Sequence, residues 1–275
     1  MKKYLCVLIA VVMIMFFAAC SKNGSDDVVD STGDIDVLAT NDTLANSDSA
    51  QDSQNGTSDS VSSPADFIGF DTEKGYYIDE YTGNAKIVMI PEELDGKKVT
   101  GIEYDAFANN NNFEEIVFSS GITEIESYTF SVAYSLKKVT LNEGLTKIED
   151  HAFINCENLS EIVIPSTLKA IGNYAFCACS SLKEIQLPEG LNEIGYTVFG
   201  NCAFESITFP STVKFLDQSV VDDCYNLKSV YIMGADTVID EYAISDSPNA
   251  VIYGYSGSTA EAYAQNKGIS FVAIN

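Results

Sequence analysis

Apolar residues return along this chain at a fixed interval. Phe107, Phe130, Phe153, Phe176 and Phe199 are each separated by 23 residues. Each closes a block close to Ile-x-x-x-Ala-Phe, as in IGNYAFCACSSLKEIQLPEG, where Ile171, Ala175, Phe176, Leu182, Ile185 and Leu187 are the apolar positions. One residue is missing in GNCAFESITF, so Val221 enters the Phe column 22 residues after Phe199, and Ile244 follows 23 later. A unit of about 20 to 29 residues cannot bury its own apolar face and is stable only when the next unit covers it. The pattern predicts a solenoid of about seven coils, with function on its surface.

Short alternating segments recur in phase with the phenylalanines: Ile116-Val117-Phe118, Val139-Thr140-Leu141, Ile162-Val163-Ile164, Ile185-Gln186-Leu187, Ile207-Thr208-Phe209 and Val230-Tyr231-Ile232. A period of two predicts strands whose outer residues face inward and whose central residues, Val117, Thr140, Val163, Gln186, Thr208 and Tyr231, face solvent. Pro165, Pro188, Pro210, Gly144 and Gly190 then turn the chain toward a second short run such as Leu168–Ile171. At the far end, Ser258-Thr-Ala-Glu261 has the form of a capping box and Gly268 of a stop, predicting a helix over 259–266. The strand Ile269 to Ile274 is expected to pair back on the last coil and shield its edge. A hairpin from Gly75 to Ile90 is expected at the near end.

LSEIVIP and IGNYAFCAC resemble the repeats of the BspA-like leucine-rich-repeat proteins. The lead-in KIVMIPEELDGKKVTGI and the closing VIYGYSGSTAEAYAQNKGISFVAI are similar to that family's ends, so the resemblance runs over about residues 76 to 275. It implies a mostly β solenoid, a right-handed leucine-rich-repeat superhelix on a bacterial surface, with an adhesive or partner-binding role and no catalytic residues. The implied division is repeats over 99–250, an N-terminal hairpin cap over 65–98 and a C-terminal cap over 251–275.

Two segments precede the solenoid. Met1-Lys2-Lys3 followed by an apolar run from Tyr4 to Ala19 reads as an export leader, too short for a comfortable membrane span. It ends Phe17-Ala18-Ala19-Cys20, which resembles a bacterial lipobox and makes Cys20 the expected lipidation site. Residues 21–64 hold nine Asp, one Lys and no aromatic residue. Such a segment cannot form a core and is expected to be a disordered tether, with a reach of roughly 35 to 40 Å.

Charge restricts the partners. The chain carries 40 acidic residues, 15 lysines and no arginine, for a net charge of −25. Setting aside the leader and tether still leaves a net of about −19. That field repels nucleic acid and anionic lipid, so neither is an expected partner, and the membrane is met through the lipid anchor alone.

Catalytic and metal chemistry find little to work with. Cys156, Cys179, Cys202 and Cys224 share one column three residues after the Phe position, with Cys177 beside it. Equivalent side chains point the same way, so a buried thiol ladder is expected in place of disulfides or zinc, and no Cys-x-x-Cys pair exists. His151 is the single histidine. It shares an outward column with Asp105, Tyr128, Tyr174, Thr197, Ser219 and Tyr242, and is one variant of a repeated position. Carboxylates are abundant but nothing marks a buried pair, so neither an enzyme nor a cofactor is expected. The expected site is the strand face, Glu115, Val117, Lys138, Thr140, Glu161, Val163, Glu184, Gln186, Thr208 and Tyr231, offered to a protein on a host or neighbouring bacterial surface. The alternative is a carbohydrate or peptide fragment stacked on Tyr231 and on the column of Tyr128, Tyr174 and Tyr242.

Overall fold

Residues about 23 apart in the sequence lie side by side in space. In the computed structural model, which describes residues 60–275, Glu115, Lys138 and Glu161 pair in parallel register, as do Lys147, Ala170 and Glu193. The expected leader, the lipidation site Cys20 and the tether up to residue 59 lie outside the described residues. The described residues form a mostly β solenoid of about nine turns with one short α-helix, Thr259–Lys267, near its end. The count exceeds seven because Ile87–Met89 already pairs with Glu115–Val117, and Ser270–Ile274 pairs with Val251–Tyr255.

Each coil has three sides. A long ladder runs through Ile87–Met89, Glu115–Val117, Lys138–Thr140 and Glu161–Val163, and again through Ser206–Phe209, Ser229–Ile232, Val251–Tyr255 and Ser270–Ile274. Its inward residues, Val88, Ile116, Val139, Ile207, Val230 and Ile252 among them, are fully buried or nearly so. A short ladder of two-residue strands runs through Glu124–Ile125, Lys147–Ile148, Ala170–Ile171 and Glu193–Ile194, then Phe215–Leu216 and Val238–Ile239. The third side carries the Phe column. Rings of Phe107, Phe130, Phe153, Phe176 and Phe199 are fully buried and stack with centroids 5.2, 5.1, 5.3 and 5.9 Å apart.

This third side is held by backbone as well as by rings. His151, Phe153 and Asn155 donate their N–H groups to Asn173, Ala175 and Cys177 of the next coil. The same triplet recurs at Tyr128, Phe130 and Val132, at Tyr174, Phe176 and Ala178, and at Thr197, Phe199 and Asn201. The alternation is possible because the residues two before and two after each Phe are left-handed, as at His151 (φ 60°) and Asn155 (φ 58°). Asn and Asp tolerate that conformation, and Asn109, Asn155, Asn201 and Asp223 supply it. Val132 (φ 62°) does not suit it. A β-branched residue there stores on the order of 1 to 3 kcal/mol, held by burial and by its bond to Ile154.

Four expectations are corrected. Ile185-Gln186-Leu187 forms no strand, although Ile185 is buried. It pairs with neither Glu161–Val163 before it nor Ser206–Phe209 after it, and the nearest bond across is from the Ala203 N–H to Leu182 O. The hairpin lies earlier than Gly75 to Ile90: it pairs Phe67–Thr72 with Gly75–Tyr81, and Lys97–Ile102 adds to it in parallel. Ile87 accepts the Ser62 N–H and donates its own N–H to Ser60 O, a parallel bridge to Val61, so order begins before residue 64. At the far end, Ser270–Ile274 covers the edge of Val251–Tyr255 but does so as another parallel rung, and is itself the last strand of that sheet.

The helix begins and ends as its sequence dictates. Ser258 Oγ accepts the Glu261 N–H, Glu261 reaches back to the Gly257 N–H, and Gly268 closes at φ 69°. Removing one ring from the Phe column tests the packing. Phe153→Ala is expected to cost about 3 to 5 kcal/mol in urea unfolding, because rings on both sides prevent the site from collapsing; a loss below about 1 kcal/mol would show that the column is not core.

Candidate functional site

On the long ladder the residues either side of each buried centre point outward and align into two rows. One row contains Ile87, Glu115, Lys138 and Glu161, and continues through Ser206, Ser229, Val251 and Ser270. The other contains Met89, Val117, Thr140 and Val163, then Thr208, Tyr231, Tyr253 and Val272. Of the expected site residues, Glu115, Val117, Lys138, Thr140, Glu161 and Val163 form one contiguous patch, and Thr208 and Tyr231 another. Glu184 and Gln186 fall in the break between them, exposed and without strand pairing. Met89, Tyr253 and Val272 belong to the same row and were not expected. VIYGY and SFVAI carry the alternation that would have found the last two.

The second row carries three exposed apolar side chains, with Met89 50 %, Val163 58 % and Val272 44 % exposed. Charges beside it are paired. Lys138 meets Glu161 at 3.3 Å, Glu114 holds Lys137 at 2.7 Å and Lys86 at 3.1 Å, and Lys228 meets Glu205 at 2.8 Å. Hydrogen bonds from Lys137 and Lys86 hold the Glu114 carboxyl below the usual carboxylate range, and Lys228 does the same for Glu205. Exposed pairs of this kind contribute little to stability. They offset part of the acidic charge along this strip.

Each tyrosine expected as a stacking platform has at least one ring face or edge met by a neighbour. His151 lies between Tyr128 and Tyr174, with centroids at 4.6 and 5.0 Å and interplanar angles of 4° and 21°. Tyr196 meets Tyr174 edge-on, Tyr231 stacks on Tyr253 at 4.5 Å, and Lys267 Nζ sits 5.2 Å from the Tyr242 ring centre. Rings repeated at the coil spacing satisfy one another. His151 Nδ1 is buried without a hydrogen-bond partner, and burial holds the imidazole below its usual range against the opposing charge of Asp150.

Cys156, Cys179, Cys202 and Cys224 form the buried ladder that their column implied, and the five cysteines among the described residues are unpaired. Cys156 Sγ donates to Phe130 O at 3.1 Å, and Cys179, Cys202 and Cys224 donate to Phe153, Phe176 and Phe199 in the same way. Burial pushes the Cys156 thiol up to about 12 and Cys224 up to about 11, so these groups stay protonated and unreactive. The carboxylates of Asp222, Asp223 and Asp246 converge within 4.8 Å. Burial and then Asp223 push the Asp222 carboxyl up, and the Tyr225 hydroxyl donates to Asp223 at 2.6 Å.

A leucine-rich-repeat scaffold with an extended strand face is therefore the class of protein described. Residues 100–228 and 146–253 match the BspA type Leucine rich repeat region, in 6 copies, and the chain belongs to that family. Among solved structures it is similar to a Leucine Rich Repeat protein of T. pallidum, at 26% identity and a TM-score of 0.61 over 77% of this chain and 97% of that one. It also resembles the pneumococcal vaccine antigen PcpA, at 17% identity and a TM-score of 0.52 over 70% of this chain and 60% of that one, a likeness of fold. No curated protein matches the chain.

The stacked imidazole gives stability a defined pH dependence. Because burial favours its neutral form, the unfolded chain takes up the proton first, near its ordinary value of about 6.5. Stability is full above that pH and falls as pH drops through it. Urea midpoints between about pH 5.5 and 7 should decline for the wild type and decline less for His151→Tyr, which continues the tyrosine column. Equal slopes would show that the histidine titrates freely.

Proposed function

We propose that this chain is a non-catalytic, lipid-anchored protein of the bacterial cell surface that binds a protein partner along its long-ladder face. The observation that carries the reading is the set of exposed apolar side chains Met89, Val163 and Val272 along one outward row, with lysine–glutamate pairs beside it. An apolar centre with a polar rim is how protein interfaces are built, and an extended solenoid face suits a large partner. Protonated thiols and a histidine held between two tyrosines support a binding role over a catalytic one. Anchoring rests on Phe17-Ala18-Ala19-Cys20 after the apolar leader, since a diacylglycerol at Cys20 supplies the two chains that stable attachment needs. The description of the pneumococcal neighbour as a vaccine antigen agrees with surface display.

The test uses bacteria displaying the full-length chain, overlaid on host-cell monolayers and on bacterial lawns. Adhesion is expected to disappear when the target surface is treated with protease. It should fall at least roughly tenfold in a Met89→Lys, Val163→Lys variant, whose two exposed sites tolerate the change without unfolding. Cys20→Ser should release the chain to the medium and end adhesion. Unchanged adhesion by the double lysine variant, or adhesion that survives protease, would contradict the reading.

A further inference from the structure

The short-ladder face carries a notch that the sequence makes by omission. Its outward row reads Glu124, Lys147, Ala170, Glu193, Phe215 and Val238. Two residues further along each coil come Glu126, Glu149, Gly172, Gly195, Asp217 and Asp240. Side chains are thus absent or minimal at Ala170, Gly172 and Gly195, while both flanks are fully furnished. The result is an open cleft of about 390 Å³, with Lys147 and Glu149 at one end and Lys214 and Phe215 at the other.

Planar polar groups pave the floor. The Asp150 carboxylate lies across Gly172 and accepts the Asn173 N–H at 2.7 Å and the Asn173 side-chain amide at 3.2 Å. Asn173 in turn lies across Gly195 and accepts the Tyr196 N–H at 3.1 Å. A Cβ on either glycine would stand 2.4 Å from the oxygen above it, so both glycines are required by this ladder. Capacity remains, because a carboxylate accepts about four hydrogen bonds and an amide donates about two. Asn192 and Glu193 line the cleft as exposed side chains, and Phe215 is 43 % exposed at its wall. Lys147 is neutralised by Glu149 at 2.6 Å, and the remaining charges are of both signs.

From this geometry we propose that the notch formed by Asp150, Asn173, Asn192, Glu193 and Phe215 is a binding site for a neutral saccharide of one or two rings. Carboxylates and amides lying flat, with spare donors and acceptors, match vicinal hydroxyls. An exposed aromatic face matches the C–H face of a sugar ring. A volume at the low end of small-molecule sites fits one or two rings, and mixed charge favours a neutral ligand. The site lies on a different face from the protein-binding strip and stands independently of that reading.

The full-length chain in detergent, mixed with glucose, N-acetylglucosamine, galactose, mannose, maltose, cellobiose, lactose and chitobiose at millimolar concentration, would be examined by saturation-transfer NMR. At least one sugar is expected to show transfer. That signal should fall roughly tenfold in Phe215→Ala and in Asn192→Ala, both exposed positions, and persist in Val163→Lys. Absence of transfer for every sugar, or transfer that survives Phe215→Ala, would overturn the assignment.

Discussion

Everything in this molecule depends on each coil finding its backbone partners in the next one. A buried N–H or C=O without a partner costs on the order of a hydrogen bond or more, and a single coil of this length has no internal ladder to satisfy its own groups. The Phe side shows how the requirement is met. Left-handed residues on both sides of each Phe turn three alternate N–H groups along the stacking axis, and carbonyls of the following coil receive them. The cysteines extend the same logic to side chains, each thiol donating to the carbonyl of a Phe one coil before.

That repetition also governs where function can sit. Residues at one place in the repeat become neighbours in a row, so a property that recurs becomes a stripe and a property that lapses becomes a notch. Met89, Val117 and Val163 on one ladder and Tyr231, Tyr253 and Val272 on the other share one row because the outward position is often apolar or aromatic, with Thr140 and Thr208 between them. Ala170, Gly172 and Gly195 make a notch because two adjacent coils drop their side chains where neighbours keep them. Aromatic residues at the coil spacing stack on themselves, as Tyr128, His151 and Tyr174 do, and their faces are withdrawn from ligands.

What the sequence disclosed follows from what repetition makes visible. A 23-residue period in Phe, an alternation of two in the strands and a column of Cys are all signals of composition at fixed spacing, and each has its counterpart in the structure. The left-handed corners were not legible, since Tyr128, His151, Val132 and Ala178 carry no common side-chain signature for a positive φ. Neither was the lost strand at Ile185, whose apolar pattern is intact while its backbone pairs with neither neighbouring strand. In the candidate site, the outward alternation identified Val117 to Val163 and Tyr231. It did not extend to Met89 or Val272, which sit in segments that read as caps. Ring stacking was hidden for a different reason: an outward position says where a side chain leaves the backbone, and not whether its faces are covered.

Native-state hydrogen exchange resolved at single amides tests the central constraint most directly. The N–H groups of Phe130, Phe153 and Phe176 each bond to a separate following coil, at Ala152, Ala175 and Val198. If coils are stable only through their neighbours, these three amides should exchange with one common free energy, equal to that of global unfolding measured in urea. Three distinct and smaller values, each belonging to one coil opening by itself, would contradict the account.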